Sequence, residues 1–318
     1  TGVTAEVSGA AKVRLAQYAS DIESVLLTHA AEQNPLAAYM VSTLTNYIAN
    51  SSRRIRKEVL DQVAIASQKN KSDKGYVEIL YAQGRRAMEI GNSADASANF
   101  LEALSLYRET QDPIGEANCI QRLGDIDFRA GNYIEASSKY LEALPIYRKI
   151  QEFLGEANCI LRLGDISFYT GDNTAASANF LEALSIYRKI QDFLGEANCI
   201  QRLGDIEFSV GNYTEASSRC LEALPIYRKM HYFLGEANCL RRMGLIKIQT
   251  GNRDEGLQEV KSTLDIYERI GDTYSLGAVW YELMAYAESN QERAEYRENA
   301  RRIWAERGRT ELIEMYLS

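Results

Sequence analysis

Histidine is almost absent from this sequence, with only His29 and His231 among 318 residues. Neither lies in the repeated helices described below, so no Ser-His-Asp or Cys-His catalytic set can be assembled there. The sequence also lacks a GxxxxGK[ST] loop, the glycine-rich turn that cradles phosphates. We therefore expect a protein that is not an enzyme and that uses no cofactor.

Positive charge is also in short supply. The chain has 36 Lys and Arg residues against 44 Asp and Glu residues, a formal net charge of −8. An acidic balance disfavours sequence-independent binding to nucleic acid or to anionic membranes. No apolar run approaches the roughly 18 residues of a membrane helix, and no signal peptide is visible. We expect neither nucleic acid nor membrane as a partner. Because the chain begins at Thr1 without methionine, we also expect a piece of a longer protein.

The five cysteines contain no CxxC pair. Four of them occupy one helical position in successive repeats: Cys119, Cys159, Cys199 and Cys239. Equivalent positions on packed helices lie roughly 10 Å apart, whereas a disulfide needs α-carbons within about 7 Å. We therefore expect buried, reduced thiols with no disulfide and no bound metal, which suits a cytoplasmic protein.

What the sequence has in abundance is a forty-residue repeat. The motif LGEANCI begins at Leu154 and Leu194, with IGEANCI at Ile114 and LGEANCL at Leu234. A fixed period of this length indicates a solenoid of stacked structural repeats. We predict repeats over about 74–113, 114–153, 154–193, 194–233 and 234–273, followed by a degenerate repeat over 274–318.

Each repeat is predicted to form two helices, A and B. In the second repeat, Asp112-Pro113 is a helix start signal, and Gly131 is a stop signal after a first helix that ends near Ala130. The second helix begins near Asn132 and carries one apolar face, formed by Ala136, Tyr140, Ala143 and Tyr147. Glycine recurs inside helix A at residues 124, 164, 204 and 244, where it costs roughly 0.5–1 kcal/mol against alanine. We infer that close approach between helices compensates for this cost.

The motif Leu123-Gly124 with Ala136, Tyr140 and Ala143, and its forty-residue echoes, resembles tetratricopeptide repeats. The period is similar to the longer variety seen in Partner-of-Inscuteable-type adaptors and in repeat arms of NACHT-type signalling ATPases. This resemblance covers about Lys74 to the C-terminus and implies an all-α, right-handed superhelical solenoid of helix-turn-helix repeats. One helix-A position departs from the family pattern, because Asp127, Ser167 and Glu207 stand where tyrosine is usual.

Residues 1–73 belong to no repeat. Two apolar helical stripes separated by Asn34-Pro35 predict a helical hairpin. One interpretation is a cap that shields the apolar end of the first repeat. The other is a separate docking module.

The resemblance also implies a candidate binding surface, since helix A lines the concave groove of tetratricopeptide proteins. The carried-over positions are Asn118, Gln121, Arg122, Asp125, Asn158, Arg162, Asp165, Asn198, Gln201, Arg202, Asp205, Asn238, Arg241 and Arg242. Two positions depart from adaptors that bind acidic peptides, which have arginine where Asn118 stands and asparagine where Asp125 stands. The arginines and aspartates three residues apart could instead be ordinary intrahelical pairs.

We therefore predict a scaffold or adaptor that binds a protein or an extended peptide in a mixed-charge groove. A second hypothesis is a sensor or regulatory arm of a larger NACHT- or STAND-like ATPase. A third is self-assembly into homo-oligomers through repeat ends or the N-terminal helices. On the first hypothesis, reversing Arg162 and Arg202 to glutamate should abolish partner binding without changing the melting temperature, because these side chains are predicted to lie outside the core.

Overall fold

The computed structural model of the chain describes residues 74–306 and 310–317, so the predicted N-terminal hairpin lies outside the described residues. Every regular element in those two ranges is a helix. Their bounds are α1 Lys74–Glu89, α2 Ser93–Glu109, α3 Pro113–Arg129, α4 Tyr133–Ile150, α5 Phe153–Tyr169, α6 Asn173–Ile190, α7 Phe193–Ser209, α8 Tyr213–Lys229, α9 Phe233–Gln249, α10 Arg253–Ile270, α11 Thr273–Met284, α12 Asn290–Ala305 and α13 Thr310–Leu317. None of these helices is long and apolar enough to cross a membrane.

The chain divides into two compact units, Thr1–Cys159 and Ile160–Ser318, with the division inside α5. Consecutive helices pack against each other from α1 to α4 in the first unit. The same sequential packing runs from α6 to α13 in the second unit. The predicted all-α arrangement of tandem helix pairs is therefore confirmed.

Local signals set the ends of the helices. Asp112 caps α3, because its side chain accepts a hydrogen bond of 3.1 Å from the Gly115 amide, and Pro113 is the first helical residue. Capping by a carboxylate followed by proline stabilises a helix start. After α3, Gly131 takes a positive φ of 78°, a conformation that costs glycine little. The predicted boundaries of this helix are thus confirmed at both ends.

The core lies between A and B helices. On α4, Ala136, Tyr140, Ala143 and Tyr147 are all fully buried, as the apolar spacing predicts. The predicted close approach at the helix-A glycines is also confirmed. A Cβ added at Gly124 would lie 3.0 Å from the Tyr140 ring, and one at Gly164 would lie 2.6 Å from the Phe180 ring.

All five cysteines are buried and free, including the four that share one repeat position. The fifth, Cys220, stands on α8 at the position that holds an aromatic ring in three earlier repeats: Phe100, Tyr140 and Phe180. Two effects raise the pKa of Cys239: the larger is a hydrogen bond with Cys220, and the next is burial of the thiol. The forty-residue period did not predict this contact, because Cys220 is not part of the repeating cysteine row.

Buried thiols make the stability of the fold sensitive to alkali. Burial, followed by the nearby charge of Glu78, raises the pKa of Cys119 from an ordinary 9.0 to about 12. Burial likewise raises the pKa of Cys159 and of Cys199. Because the unfolded chain loses these protons first, stability is full below about pH 9 and falls as the pH rises toward about 12.

We predict a melting temperature that is insensitive to thiol ionisation below about pH 9 and decreases above it, measured by circular dichroism in reductant. Each thiol lowers the free energy of unfolding by up to about 1.4 kcal/mol per pH unit in that range. The fall should be shallower in a Cys119→Ala variant. Rapid labelling of the native thiols by a disulfide reagent at about pH 8 would contradict this account.

Candidate functional site

The predicted site residues recur on one face of each A helix. Spacings of three, four and seven residues place such side chains on one helix surface. The two units share the predicted residues unequally. Nine lie in the second unit, and five lie in the first unit: Asn118, Gln121, Arg122, Asp125 and Asn158. The arginines and asparagines of this set are partly exposed, whereas the three aspartates are buried.

In the second unit the charged residues form an arginine–aspartate ladder, made of Arg162, Asp165, Arg202, Asp205 and Arg242. Arg162 and Arg202 contact the two carboxylate oxygens of Asp165 at 3.0 and 2.9 Å. Arg202 also reaches Asp205 at 3.5 Å, and Arg242 contacts Asp205 Oδ1 through Nη2 at 2.7 Å. The intrahelical pairs that the sequence allowed are present, and further pairs connect one repeat to the next.

The first unit shows the same intrahelical pairing. Arg122 donates to Asp125 Oδ2 at 2.9 Å, while the Tyr140 hydroxyl donates to Asp125 Oδ1 at 2.9 Å. Arg122 also donates to the hydroxyl of Tyr81 at 3.3 Å. Asp125 is therefore held by groups inside the fold, and it serves first as a structural residue.

The arginine row is partly exposed, but its contacts with buried aspartates disagree with the expectation that charge reversal would leave the melting temperature unchanged. Asp165 is only 2% exposed, so removing its arginine partners would leave a buried carboxylate uncompensated. Burial acts to lower the pKa of Arg202, but Asp165, Tyr169 and Asp205 outweigh it and raise that pKa. Reversing Arg202 to glutamate would therefore destabilise the fold, and it cannot serve as a test of binding alone.

The predicted amide side chains also have partners inside the fold. The Tyr147 hydroxyl lies 2.8 Å from Asn118 Oδ1 and 2.9 Å from Gln121 Oε1. In the second unit, the Tyr227 hydroxyl lies 2.9 Å from both Asn198 Oδ1 and Gln201 Oε1. A hydroxyl carries one hydrogen, so each tyrosine donates to one amide oxygen at a time. These tyrosines orient the amides of helix A from helix B.

Six of the predicted residues meet at one pocket of about 510 Å³ in the second unit. They are Gln201, Arg202, Asp205, Asn238, Arg241 and Arg242. Arg162 and Asp165 are not among the residues that line it. This volume is within the range of pockets that bind small ligands, roughly 300–1,000 Å³. We refer to it as the polar pocket.

The other wall of the polar pocket comes from the degenerate C-terminal repeat, which sequence analysis did not assign to the site. Tyr274, Tyr281 and Glu282 from α11 line it, with Trp304 from α12 and Tyr316 from α13. The ring centroids of Tyr281 and Tyr316 are 5.1 Å apart, a separation typical of aromatic pairs. The forty-residue register could have identified Tyr281 and Glu282, because they follow Arg241 and Arg242 by forty positions.

One ion pair in the polar pocket has no hydrogen bond between its two side chains. Arg241 Nη1 and Glu282 Oε1 are 3.6 Å apart, beyond hydrogen-bonding distance. Glu282 Oε2 is buried and accepts no hydrogen bond within the part of the chain that the structure describes. By contrast, Arg242 contacts Asp205 at 2.7 Å and lies 4.3 Å above the Phe208 ring. Arg241 and Glu282 are thus two charged groups whose hydrogen-bonding capacity the fold does not use fully.

A second pocket of about 590 Å³ adjoins the first. The two share Arg242, Tyr281 and Glu282 as lining residues. The rest of the lining of the second pocket is mostly apolar, from Phe208, Leu245, Met284, Ala285 and Tyr286. Gln249 and Arg293 are its other polar lining residues. We refer to it as the apolar pocket. Among the described residues, no group of three His, Cys, Asp or Glu side chains is arranged to hold a metal ion.

Comparisons with known proteins identify the fold. No family model matches the chain, and no curated protein matches its sequence. A Rap protein complexed with competence and sporulation factor is similar, with a TM-score of 0.63 at 14% identity over 93% of this chain and 94% of that chain. NprR in complex with its cognate peptide NprX has a TM-score of 0.64 at 17% identity, over 83% of this chain and 77% of that chain.

A third similar structure is a signal transduction ATPase with numerous domains (STAND) that has a tetratricopeptide repeat sensor, from Pyrococcus horikoshii. It has a TM-score of 0.61 at 15% identity, over 95% of this chain and 47% of that chain. At such identities the likeness establishes the fold alone. The predicted helical-repeat fold of the tetratricopeptide type is therefore confirmed.

Proposed function

We propose that this chain is a peptide-binding repeat scaffold and that the polar and apolar pockets of the second unit form its ligand site. The observation that carries the proposal is the Arg241–Glu282 pair. Charged side chains that are largely removed from water are normally hydrogen-bonded, because an unpaired one costs roughly 1–3 kcal/mol or more. A ligand in the polar pocket would form hydrogen bonds with the Arg241 guanidinium and the Glu282 carboxylate.

The composition of the two pockets suits a peptide. Peptide groups need donors and acceptors, which the polar pocket offers through Arg241, Asn238 and Glu282. Apolar side chains of a peptide need a water-excluding surface, which Phe208 and Leu245 offer in the adjoining pocket. The similarity to NprR and to a Rap protein adds support, since both were solved with a peptide or factor bound.

The finer features of this proposal follow from the sequence. We propose a non-enzymatic adaptor of the cytoplasm whose partner is a protein or extended peptide instead of nucleic acid or membrane. The resemblance to the forty-residue repeats of Partner-of-Inscuteable-type adaptors belongs to the same proposal. Its support is the repeat period together with the acidic net charge of −8.

A second candidate function is a sensor arm within a larger ATPase. The STAND protein favours it, because 95% of this chain aligns with 47% of that protein. Both functions use the same ligand site, and they differ in what ligand binding controls. A nucleotide-binding domain encoded in the same gene would favour the sensor arm.

The proposal predicts that Arg241 is needed for peptide capture but not for folding. The immobilised full chain is incubated with a random-sequence pool of short peptides, and the bound fraction is quantified by mass spectrometry. Arg241→Met should reduce capture by about tenfold or more, the ratio expected when a hydrogen bond to a charged group is lost. Arg241→Met leaves Glu282 without its ion-pair partner, so circular dichroism must show that the variant is folded at the temperature of the capture measurement.

Arg302→Met is the matched control. Arg302 is an exposed residue of α12 whose ion-pair partner among the described residues is Glu306, at 3.5 Å, and it lines neither pocket. Its replacement should leave capture unchanged. Equal capture by Arg241→Met and the unmodified chain, or capture of no peptide at all, would refute the proposed site.

A further inference from the structure

On the basis of the proposed function, we infer that the ligand places an amide group between Arg241 and Glu282. In this arrangement the amide oxygen accepts a hydrogen bond from the Arg241 guanidinium, and the amide N–H donates to the Glu282 carboxylate. The inference names the chemical group that the polar pocket recognises. It rests on the geometry of this pair and on the charges around it.

The first argument concerns unused hydrogen-bonding capacity. Arg241 has five N–H donors, and the carboxylate that pairs with it is Glu282 at 3.6 Å. The Arg241 side chain is 19% exposed and that of Glu282 is 31% exposed, so a ligand in the pocket can reach both. Glu282 contributes an acceptor and Arg241 contributes donors. The complementary group must therefore carry an acceptor and a donor side by side.

The second argument concerns distance. The oxygen and nitrogen of an amide are about 2.3 Å apart, as the C=O and C–N bond lengths require. Arg241 Nη1 and Glu282 Oε1 are 3.6 Å apart. Two roughly parallel hydrogen bonds from a primary amide to these two atoms therefore fit without moving either helix, because the oxygen and one hydrogen of a primary amide lie on the same side, whereas a trans peptide group presents them on opposite sides. A hydroxyl offers a donor and acceptors on a single atom, and it fits this separation less well.

The third argument concerns charge. The lining of the polar pocket includes three arginines and three carboxylates: Arg202, Arg241, Arg242, Asp205, Asp272 and Glu282. Asp205 is already neutralised by its two arginine contacts. A ligand carboxylate at Arg241 would lie beside Glu282, and a ligand ammonium at Glu282 would lie beside the arginines. A neutral amide avoids both like-charge contacts.

The apolar pocket adds a constraint on the neighbouring residue of the ligand. Because Tyr281 and Glu282 line both pockets, a peptide that reaches Glu282 also passes the entrance of the apolar pocket. Phe208, Leu245 and Met284 would then cover an apolar side chain next to the amide. The preferred ligand is thus a peptide in which a recognised amide is followed or preceded by an apolar residue.

The probe is a set of acetylated and amidated short peptides with randomised flanks and one fixed X-Leu pair, where X is Gln, Glu, Lys or Met. A second set carries an N-methyl group on the peptide bond after X. The first set tests for a side-chain amide, and the second tests for a backbone amide. Capture by the immobilised full chain is measured for each pool.

A side-chain amide predicts roughly tenfold greater capture of the Gln pool than of the Glu, Lys or Met pools. A loss of capture on N-methylation that is independent of X would instead show recognition of a backbone group, and it would overturn the side-chain assignment. Glu282→Gln should remove the advantage of the Gln pool over the Glu pool, because a ligand carboxylate at Arg241 would no longer lie beside a like charge. Glu298→Gln is the matched control, since Glu298 is exposed on α12 and lines neither pocket.

The outcomes separate this inference from the proposed function. If the chain captures peptides but neither X nor N-methylation matters, the amide inference is wrong and peptide binding stands. If the chain captures no pool, peptide binding fails, and the inference fails with it. If Glu282→Gln does not fold, the pools measured with the unmodified chain still decide the question.

Discussion

Replacing Arg202 by methionine should lower the free energy of unfolding by about 3 kcal/mol, the loss typical of breaking a buried ion pair. Arg202 contacts Asp165 at 2.9 Å and Asp205 at 3.5 Å, so one substitution weakens two pairs of the arginine–aspartate ladder. Asp165 is 2% exposed, and among the described residues it would keep Arg162 as its ion-pair partner, at 3.0 Å. Methionine preserves most of the side-chain volume, so the loss reports charge more than packing.

Chemical denaturation of the full chain measures this effect, with Arg241→Met as the comparison. Arg241 lies on α9, the A helix of the next repeat, and its atoms are 3.6 Å from those of its partner Glu282. Its replacement should cost less than that of Arg202, because the Glu282 side chain is 31% exposed whereas Asp165 is 2% exposed. Equal losses for the two variants would mean that the ladder does not contribute to stability.

Gly235→Ala should destabilise the chain by about 3 kcal/mol, although alanine is the better helix former. A Cβ at Gly235 would lie 2.4 Å from Tyr227 Cε1, far inside contact distance. The Tyr227 ring is fully buried, and its hydroxyl lies 2.9 Å from Asn198 and from Gln201. The ring cannot move aside without breaking these contacts. Overpacking of about 1–3 kcal/mol plus a lost hydrogen bond outweighs a propensity gain of about 0.5–1 kcal/mol.

A double-mutant cycle with Tyr227→Ala tests this explanation. Once the ring is removed, the added methyl group has space, and Gly235→Ala should then be neutral or slightly stabilising. Unfolding of the single and double variants by urea gives the coupling energy between the two positions. If Gly235→Ala costs the same in both backgrounds, the destabilisation has a cause other than Tyr227.

The two effects bear on the proposed site. Tyr227 orients Asn198 and Gln201, and the ladder positions Arg202 and Arg242. Part of the helix-A face therefore maintains the fold, while Arg241 and Glu282 are the charged pair of the proposed ligand site. Binding tests that begin with Arg202 would confuse the two roles more than tests that begin with Arg241, whose partner Glu282 is partly exposed.

Most of the helical framework was predictable from local signals. The Asp112 cap and the positive φ at Gly131 depend on residues close together in sequence, which explains why the predicted ends of α3 agree with the structure. The period of forty then places similar helices in the other repeats. The apolar face of α4 was predictable for the same reason, because helical spacing alone decides which side chains share a face. The candidate site was only half predictable. Its helix-A residues repeat, but its α11–α13 residues belong to a repeat that has lost the motif.

By itself, the sequence determined that this chain is an all-α repeat protein and which residues of each A helix share a face. The tertiary structure alone decided which of those residues are engaged inside the fold. Asp165 and Arg202 are 37 positions apart, and their contact depends on how closely successive A helices pack. The aromatic wall around Tyr281, Trp304 and Tyr316 likewise exists because α12 and α13 pack after α11. Such contacts depend on distances between helices, and helical periodicity carries no information about those distances.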